Sequence, residues 1–311
     1  MLKNNLKVSV IISNYQGRKL LPECLDCLMN QSYKNYEIIL VDAGSTDGST
    51  NYVSVIFPSV ILIRQDRIGI GEAINIGIRA STGDIIVFDL NTDEFVEPDW
   101  LEQIVKHLEN HDFKIITGTT RLIYGTDLID ECGVDLGFHG YARKRGHLRH
   151  ISEFLESDET SLYVGTPSFH RDILRLVGPV DEGYFIYGED LDYCYRAKLL
   201  GIDTRPAPLA LSHHMVRRTL SKSSYRLEYF LRRAYLKFHM SFSSPPKVLI
   251  NLLYLAFFLE LAALVASLCP IQKSASYREK LIGRTMALIW YARTIKENLL
   301  KRKGFKRKSL K

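Results

Sequence analysis

Residues 1–220 predict an α/β fold, a mostly parallel sheet flanked by helices on both faces. Three observations carry this. Short β-branched runs alternate with helical stretches through the first third of the chain. No tight-hairpin signal joins consecutive runs, so neighbouring strands connect through helices. Polar clusters follow the strand runs directly: SNYQG, DAGSTDGS and NTDE. Sheets of this kind bind ligands at the carboxyl ends of their strands.

The elements follow in order. Lys7–Ser13 (KVSVIIS) is the first strand and Lys19–Asn30 a helix. Tyr36–Asp42 (YEIILVD) is the second strand, and a short helix near Thr50–Phe57 leads to a third, Val60–Gln65. Gly69–Ala80 reads as a helix and Asp84–Asp89 (DIIVFD) as the fourth strand. Pro98–Leu108 is a helix with Asp99 placed as its N-cap. Residues 114–165 hold strand-like KIITG and RLIYG and a basic loop, YARKRGHLRH, without a sustained period. Arg171–Val177 and Asp190–Leu200 read as helices. No internal repeat is present.

The character changes near residue 220, which divides a 1–220 domain from a 221–311 extension. Residues 221–311 carry 19 Lys+Arg against 4 Asp+Glu, a net +15, whereas residues 1–220 carry 22 against 31, a net −9. A basic tail on an acidic body predicts an anionic partner. Nucleic acid lacks support, because no recognition motif is present and aromatics are not interleaved through the tail. Val248–Cys269 is 22 residues long and largely apolar, enough to span a bilayer, but it holds Asn251 and Glu260. A charge at mid-span costs roughly 2.5–3.5 kcal/mol on insertion scales. A single crossing would also place the tail's seven Lys/Arg outside, against the positive-inside bias. The expectation is a re-entrant or interfacial helix with Arg278–Leu300 as a basic amphipathic partner, on the cytoplasmic face of the membrane; a buried helical hairpin is the alternative. The N-terminus shows no secretory signal. Five scattered cysteines argue against a disulfide framework, and the Cys24/Cys27 pair lies in mid-helix.

Several motifs bear on chemistry. A nicotinamide site finds little support, since the first strand runs into SNYQGRKLL rather than GxGxxG. Asp42 ends the second strand, where a carboxylate can accept hydrogen bonds from a base or ribose. DAGSTDGST also reads as a polar turn with Asp47 and Ser49 capping the next helix. Tyr15 can stack on a base or form a rim aromatic. VFDLNTDE holds two overlapping pairs of oxygen side chains, Asp89/Asn91 and Asn91/Asp93. Such donors suit Mg2+ or Mn2+ shared with phosphates, or simply a polar turn. Glu189 and Asp190 open an amphipathic helix, as dipole partners or as a general base. His213 and His214 in SHHMVRRT are structural residues or metal ligands.

Together these blocks resemble the family-2 glycosyltransferases, inverting enzymes of the GT-A fold, a Rossmann-like sheet flanked by helices. VSVIISNY, EIILVDAGSTDGS, GIGEAINIGIRASTGDIIVFDLNTD, EPDWLEQIV and VGTPSFHRDILRLVGPVDEGYFIYGEDLDYCYRAKLLG match in order across residues 7–220. NTD is similar to the LNPD form of a rhamnosyltransferase-like or galactofuranosyltransferase-like branch. The resemblance implies nucleotide contacts at Ser13 and Tyr15 and a base or ribose contact at Asp42. It implies a DxD-type metal and diphosphate site at Asn91 and Asp93, leaving Asp89 structural. Asp190 matches the catalytic base, with Glu189 orienting the acceptor. One of His213 and His214 matches a metal or diphosphate ligand, His214 preferred for its spacing to Thr219. The chain departs from the family at Ile74, where an arginine is usual, and in MVRRT, where Arg217 and Arg218 stand as substitute phosphate contacts. The implied protein moves a sugar from a UDP- or dTDP-linked donor to a glycan or lipid-linked acceptor, using Mg2+ or Mn2+. The alternative is a non-catalytic sugar-nucleotide-binding scaffold.

Overall fold

The structure, a computed structural model, describes residues 5–109, 114–121, 127–136, 142–153, 162, 164–215, 225–250, 252–253, 257, 261 and 271–308. The chain divides into two compact units: Met1–Asp135, Ala142–Phe185 and Glu189–Val216 form the first, and Leu136–Tyr141, Ile186–Gly188 and Arg217–Lys311 the second.

The first unit is α/β, with strands β1 (Val8–Asn14), β2 (Tyr36–Ala43), β3 (Ile61–Gln65), β4 (Ile85–Asn91), β5 (Glu94–Val96), β6 (Lys114–Arg121), β7 (Ile129–Glu131), β8 (Val134–Leu136), β9 (Ala142–Lys144), β10 (Ser168–His170) and β11 (Asp203–His214). Its helices are α1 (Leu21–Met29), α2 (Ser49–Ile56), α3 (Ile70–Ala80), α4 (Trp100–Leu108), α5 (Ile173–Val177) and α6 (Glu189–Leu199). The main sheet runs β3-β2-β1-β4-β10-β6-β11-β5, with β7 on β6; β8 and β9 form a separate pair. The order β3-β2-β1-β4 is parallel throughout.

The expected mostly parallel sheet is present, with β11 also parallel to β6, and short antiparallel inserts lie in its second half. β10 runs antiparallel between β4 and β6, β5 runs antiparallel to β11, and β7 antiparallel to β6. Each of these inserts has three residues, too few for a period-2 pattern to show. β11 escapes sequence reading for another reason. Pro206 and Pro208 lie inside it, and its register to β6 shifts between Ala207 and Leu211. Proline signals a bulge here rather than the end of the strand.

Both faces of the sheet are covered. Val10, Ile12, Ile38 and Leu40 pack with Leu25 and Leu28 of α1 and Trp100 and Ile104 of α4. The alternate residues Ile39 and Val41 pack with Ala73 of α3. The alternation follows from the period of the strand, and each fully buried Leu or Ile contributes about 1.5–3 kcal/mol. Asp99 stands at the N-cap of α4, but its side chain makes no cap bond; its Oδ2 accepts from Gln103 Nε2 at 2.9 Å. α6 is seated by aromatics: Tyr193 stacks on Phe169 with centroids 5.3 Å apart and meets Phe88 edge-on at 5.1 Å.

In the second unit α7 (Tyr225–Phe242) and α8 (Ile271–Lys308) pack through Leu236, Met240, Ala287 and Tyr291. Glu228 joins them, accepting from Arg232 at 2.8 Å and Arg284 at 2.7 Å. A Cβ on Gly283 would stand 2.4 Å from the Tyr225 carbonyl oxygen, so only glycine permits this approach. Ile282, Met286, Ile289 and Leu300 of α8 are exposed. Most of Val248–Cys269 lies outside the described residues, and none of the described helices is long and apolar enough to cross a membrane.

Candidate active site

The site is assembled at the carboxyl ends of the parallel strands. Register places Ser13 beside both Val41 and Asn91, and Asn14 beside Asp42. Asp42 is buried, with Oδ2 accepting from Asn14 Nδ2 at 2.6 Å and Oδ1 from the Ser45 amide at 2.9 Å. Oδ1 thus holds the turn that follows β2, while Oδ2 ties β2 to β1. Ser45 Oγ receives the Gln16 amide at 2.8 Å, and Asp47 receives the amides of Arg18 and Ser49 at 2.8 and 3.0 Å. The two loops are laced together beneath Tyr15, which is exposed with the Arg67 guanidinium 5.3 Å over its ring. Asn14, between the two residues singled out from sequence, is the one that orients Asp42.

Asn91 ends β4. Thr92 and Asp93 form the turn into β5, whose pairing with β11 sets His214 opposite Glu94 and His213 opposite Phe95. Neighbouring strand residues face opposite sides, so the two histidines separate. His214 Nε2 stands 3.4 Å from Asp93 Oδ1. His213 turns away, its Nε2 2.7 Å from Glu97 Oε1. The side chain of Asp89 and residues 216–224, with Arg217, Arg218 and Thr219, lie outside the described residues. Ile74, in the family's arginine position, is a fully buried core residue.

His214 has a second partner. Its Nδ1 lies 3.1 Å from Asp130 Oδ2, which also accepts from Lys144 Nζ at 2.8 Å. Lys144 lies 3.3 Å from Glu131 as well. Burial opposes a charge on His214, but hydrogen bonds to Asp130 and Asp93, with the charges of Asp93 and Glu94, outweigh it and raise its pKa to about 10. Burial likewise pushes Asp130 up, but the bond from His214 and the Lys144 charge hold it at about 2. Burial dominates at Glu131, raised to about 7. Sequence reading found none of Asp130, Glu131 and Lys144, which lie on three-residue strands of the unpatterned 114–165 region.

Glu94 is the anchor beneath. Its oxygens accept from Ser212 Oγ at 2.7 Å and Thr166 Oγ1 at 3.1 Å. Gly165, beside Thr166, directs its amide at Asp190 Oδ2 at 3.0 Å, and the Leu191 amide reaches Oδ1 at 2.7 Å. Gly165 has φ +109°, which favours glycine. Burial raises the Asp190 pKa against these two amides. Glu189 is buried next to it at the start of α6. The loop before α6 is tied to α3: Asn75 Nδ2 donates to the Val180 carbonyl at 2.9 Å and its Oδ1 accepts the Val180 amide at 3.0 Å.

Among the described residues no group of three or more His, Cys, Asp and Glu forms a metal cage. Asp93 and His214 offer one carboxylate and one imidazole on the same side of a turn. A divalent ion would bind there by displacing the proton that His214 shares with Asp93, and would complete its shell with water and diphosphate oxygens.

A sheet of this order, with an acidic turn after the fourth strand and the buried Glu189 opening a late helix, is an α/β sheet of the GT-A type. Residues 9–172 match Glycosyl transferase family 2, and the chain belongs to that family. It is 31% identical over 115 residues to glycosyltransferase GlyA of Streptococcus pneumoniae, covering 36% of this chain and 16% of that protein. It is 29% identical over 121 residues to the PGL/p-HBAD biosynthesis glycosyltransferase of Mycobacterium tuberculosis, covering 38% and 45%. The chain thus spans less than half the length of these relatives. The fold is shared with GalNAc-T7 in complex with UDP, GalNAc and Mn2+ (TM-score 0.57, 19% identity, 78% of this chain and 52% of that one). It is also shared with the mannosyltransferase PcManGT of Pyrobaculum calidifontis with GDP-Man and Mn2+ (TM-score 0.55, 18% identity, 92% and 87%).

Proposed function

We propose that this chain is an inverting, metal-dependent glycosyltransferase. It moves a hexosyl or deoxyhexosyl group from a UDP- or dTDP-linked donor to a hydroxyl of a glycan or lipid-linked acceptor in the synthesis of a cell-surface polysaccharide or glycolipid. The donor falls in the rhamnosyl or galactofuranosyl class. The observation that carries the reading is Asp190, a half-buried carboxylate fixed from both oxygens at the head of α6.

Asp190 takes the proton of the acceptor hydroxyl as its oxygen bonds to the anomeric carbon. The bond from that carbon to the diphosphate breaks, its electron pair leaving with the phosphate, and the configuration inverts. Burial keeps the carboxylate more basic than an exposed aspartate, which suits a general base. Glu189 orients the acceptor. Ser13, Tyr15 and the turn built on Asp42 receive the nucleoside. Asp93 and His214, with Asn91 as a further oxygen donor, would hold Mg2+ or Mn2+, which when bound would neutralise the leaving diphosphate as a Lewis acid. The exposed apolar stripe Ile282, Met286, Ile289 of the second unit and the basic tail dock on the cytoplasmic face of the membrane.

A screen of nucleotide sugars with and without Mn2+, reading nucleoside diphosphate release, tests the reading. Metal-dependent release from one donor supports it. Binding without release under every condition would leave a sugar-nucleotide-binding protein instead.

A further inference from the structure

The first unit is acidic as a whole, yet one cleft in it is cationic. Arg143, Lys144, Arg145, His147 and Arg149 line a cleft of about 560 Å3 with Asp135 as its single carboxylate. The cations sit on a fixed frame. The Arg145 amide donates to the Gly133 carbonyl at 2.8 Å, the Cys132 amide to the Arg145 carbonyl at 3.2 Å, and the Arg149 amide to the Gly146 carbonyl at 2.8 Å. Arg143 is exposed and makes no hydrogen bond or ion pair among the described residues.

The cleft adjoins the chemistry. Lys144 is the shared residue: it lines the cleft, bonds Asp130 at 2.8 Å, and through Asp130 and His214 connects to Asp93. Lys144 also lies close enough to Asp190 for its charge to favour the carboxylate. The cleft and the candidate base thus share the influence of one cation, Lys144.

Resting on the transferase reading, we propose that this cleft binds a phosphate ester or phosphodiester carried by the acceptor, so that the preferred acceptor is anionic. Guanidinium groups match phosphate oxygens in a bidentate fork. Lys144 is held by Asp130 and Glu131 and Arg149 by Glu153, so Arg143, without an ion pair among the described residues, is a guanidinium that the cleft can offer to an anion.

The experiment pairs two acceptors that differ only in charge, a decyl glycoside and the corresponding decyl-phosphate glycoside, with whichever nucleotide sugar the enzyme turns over. The phosphate-bearing acceptor should show a KM at least about tenfold lower, in keeping with the strength of charge-assisted hydrogen bonds. Arg143→Glu should remove most of that difference and Arg143→Lys restore part of it, while UDP affinity stays within twofold. Equal KM for the two acceptors overturns the proposal. So does a parallel loss of UDP affinity in Arg143→Glu, which would place the cleft on the donor diphosphate. Absence of turnover with any nucleotide sugar sinks the transferase reading itself, a result distinct from either.

Discussion

The Gly165 amide donates to Asp190 Oδ2 at 3.0 Å, and Gly165 can do so because its φ is +109°. Nothing lies within 4 Å of where its Cβ would be, so a substitution there is strained by backbone conformation and not by crowding. Gly165→Ala should lower kcat while leaving nucleotide affinity near normal. Residues forced into such conformations cost on the order of 1–3 kcal/mol; relaxing that strain draws the amide off Asp190, and losing a hydrogen bond to a charged group, about 1.5–3 kcal/mol, should lower kcat about tenfold or more. An equal loss of nucleotide affinity would place Gly165 outside the acceptor half.

Asp190→Asn keeps the shape of the side chain and removes its basicity. General-base catalysis is worth about 10²–10⁴-fold, and kcat should fall by that amount with UDP binding intact. Single-turnover rates within a few-fold of wild type would remove Asp190 from the role of base.

His214 and His213 provide an internal control, since they share a strand end but face different partners. Asp93→Ala and His214→Ala should each weaken Mn2+-dependent nucleotide binding about 10–100-fold, the range seen when residues supporting a metal are lost. His213→Ala should change stability more than metal response, because its Nε2 faces Glu97 rather than Asp93. Titration of UDP with and without Mn2+ separates them; identical metal responses for the two histidine variants would count against the pairing with Asp93.

Much of this was readable from sequence. The alternation of strands and helices through Ala80, the polar turns after β1, β2 and β4, and the acids opening α6 all depend on local patterns long enough to show. What escaped depends on pairing between distant segments. Asp130 lies on a three-residue strand, and no period marks it as facing His214. Asn14 carries no local mark, because its role appears only when β1 and β2 lie in register. Glu94 stood in the quoted stretch, yet Ser212 and Thr166, its partners, are far along the chain. Asn75 looked like an ordinary helix residue until the Val180 loop folded onto it.

That loop gives a stability prediction. Asn75 is buried and satisfies both the amide and the carbonyl of Val180. Asn75→Ala leaves both groups unpaired, at about 1–3 kcal/mol for an unsatisfied buried polar group. The melting temperature should fall, and kcat should fall with it, because the loop leads into α6. An unchanged melting temperature would mean that water replaces both bonds.

The charge cluster around Asp130 sets how stability depends on pH. His214 is raised from 6.5 to about 10, so its contribution is complete below pH 6.5 and is lost as pH rises through 10. Asp130 is lowered from 3.8 to about 2, so its contribution is present above 3.8 and lost as pH falls toward 2. Glu131 has the opposite sign: raised from 4.5 to about 7, it is tolerated best while protonated and weakens the fold as pH climbs between those values. The three together predict maximal stability in mildly acidic solution, near pH 4–5, with a decline toward pH 7 and a further one toward pH 10. Melting temperatures measured across that range check it. Glu131→Gln should flatten the segment between pH 4.5 and 7 while leaving the alkaline decline in place. A melting temperature that rises steadily from pH 5 to pH 10 would show that these groups are not ionised as the geometry requires.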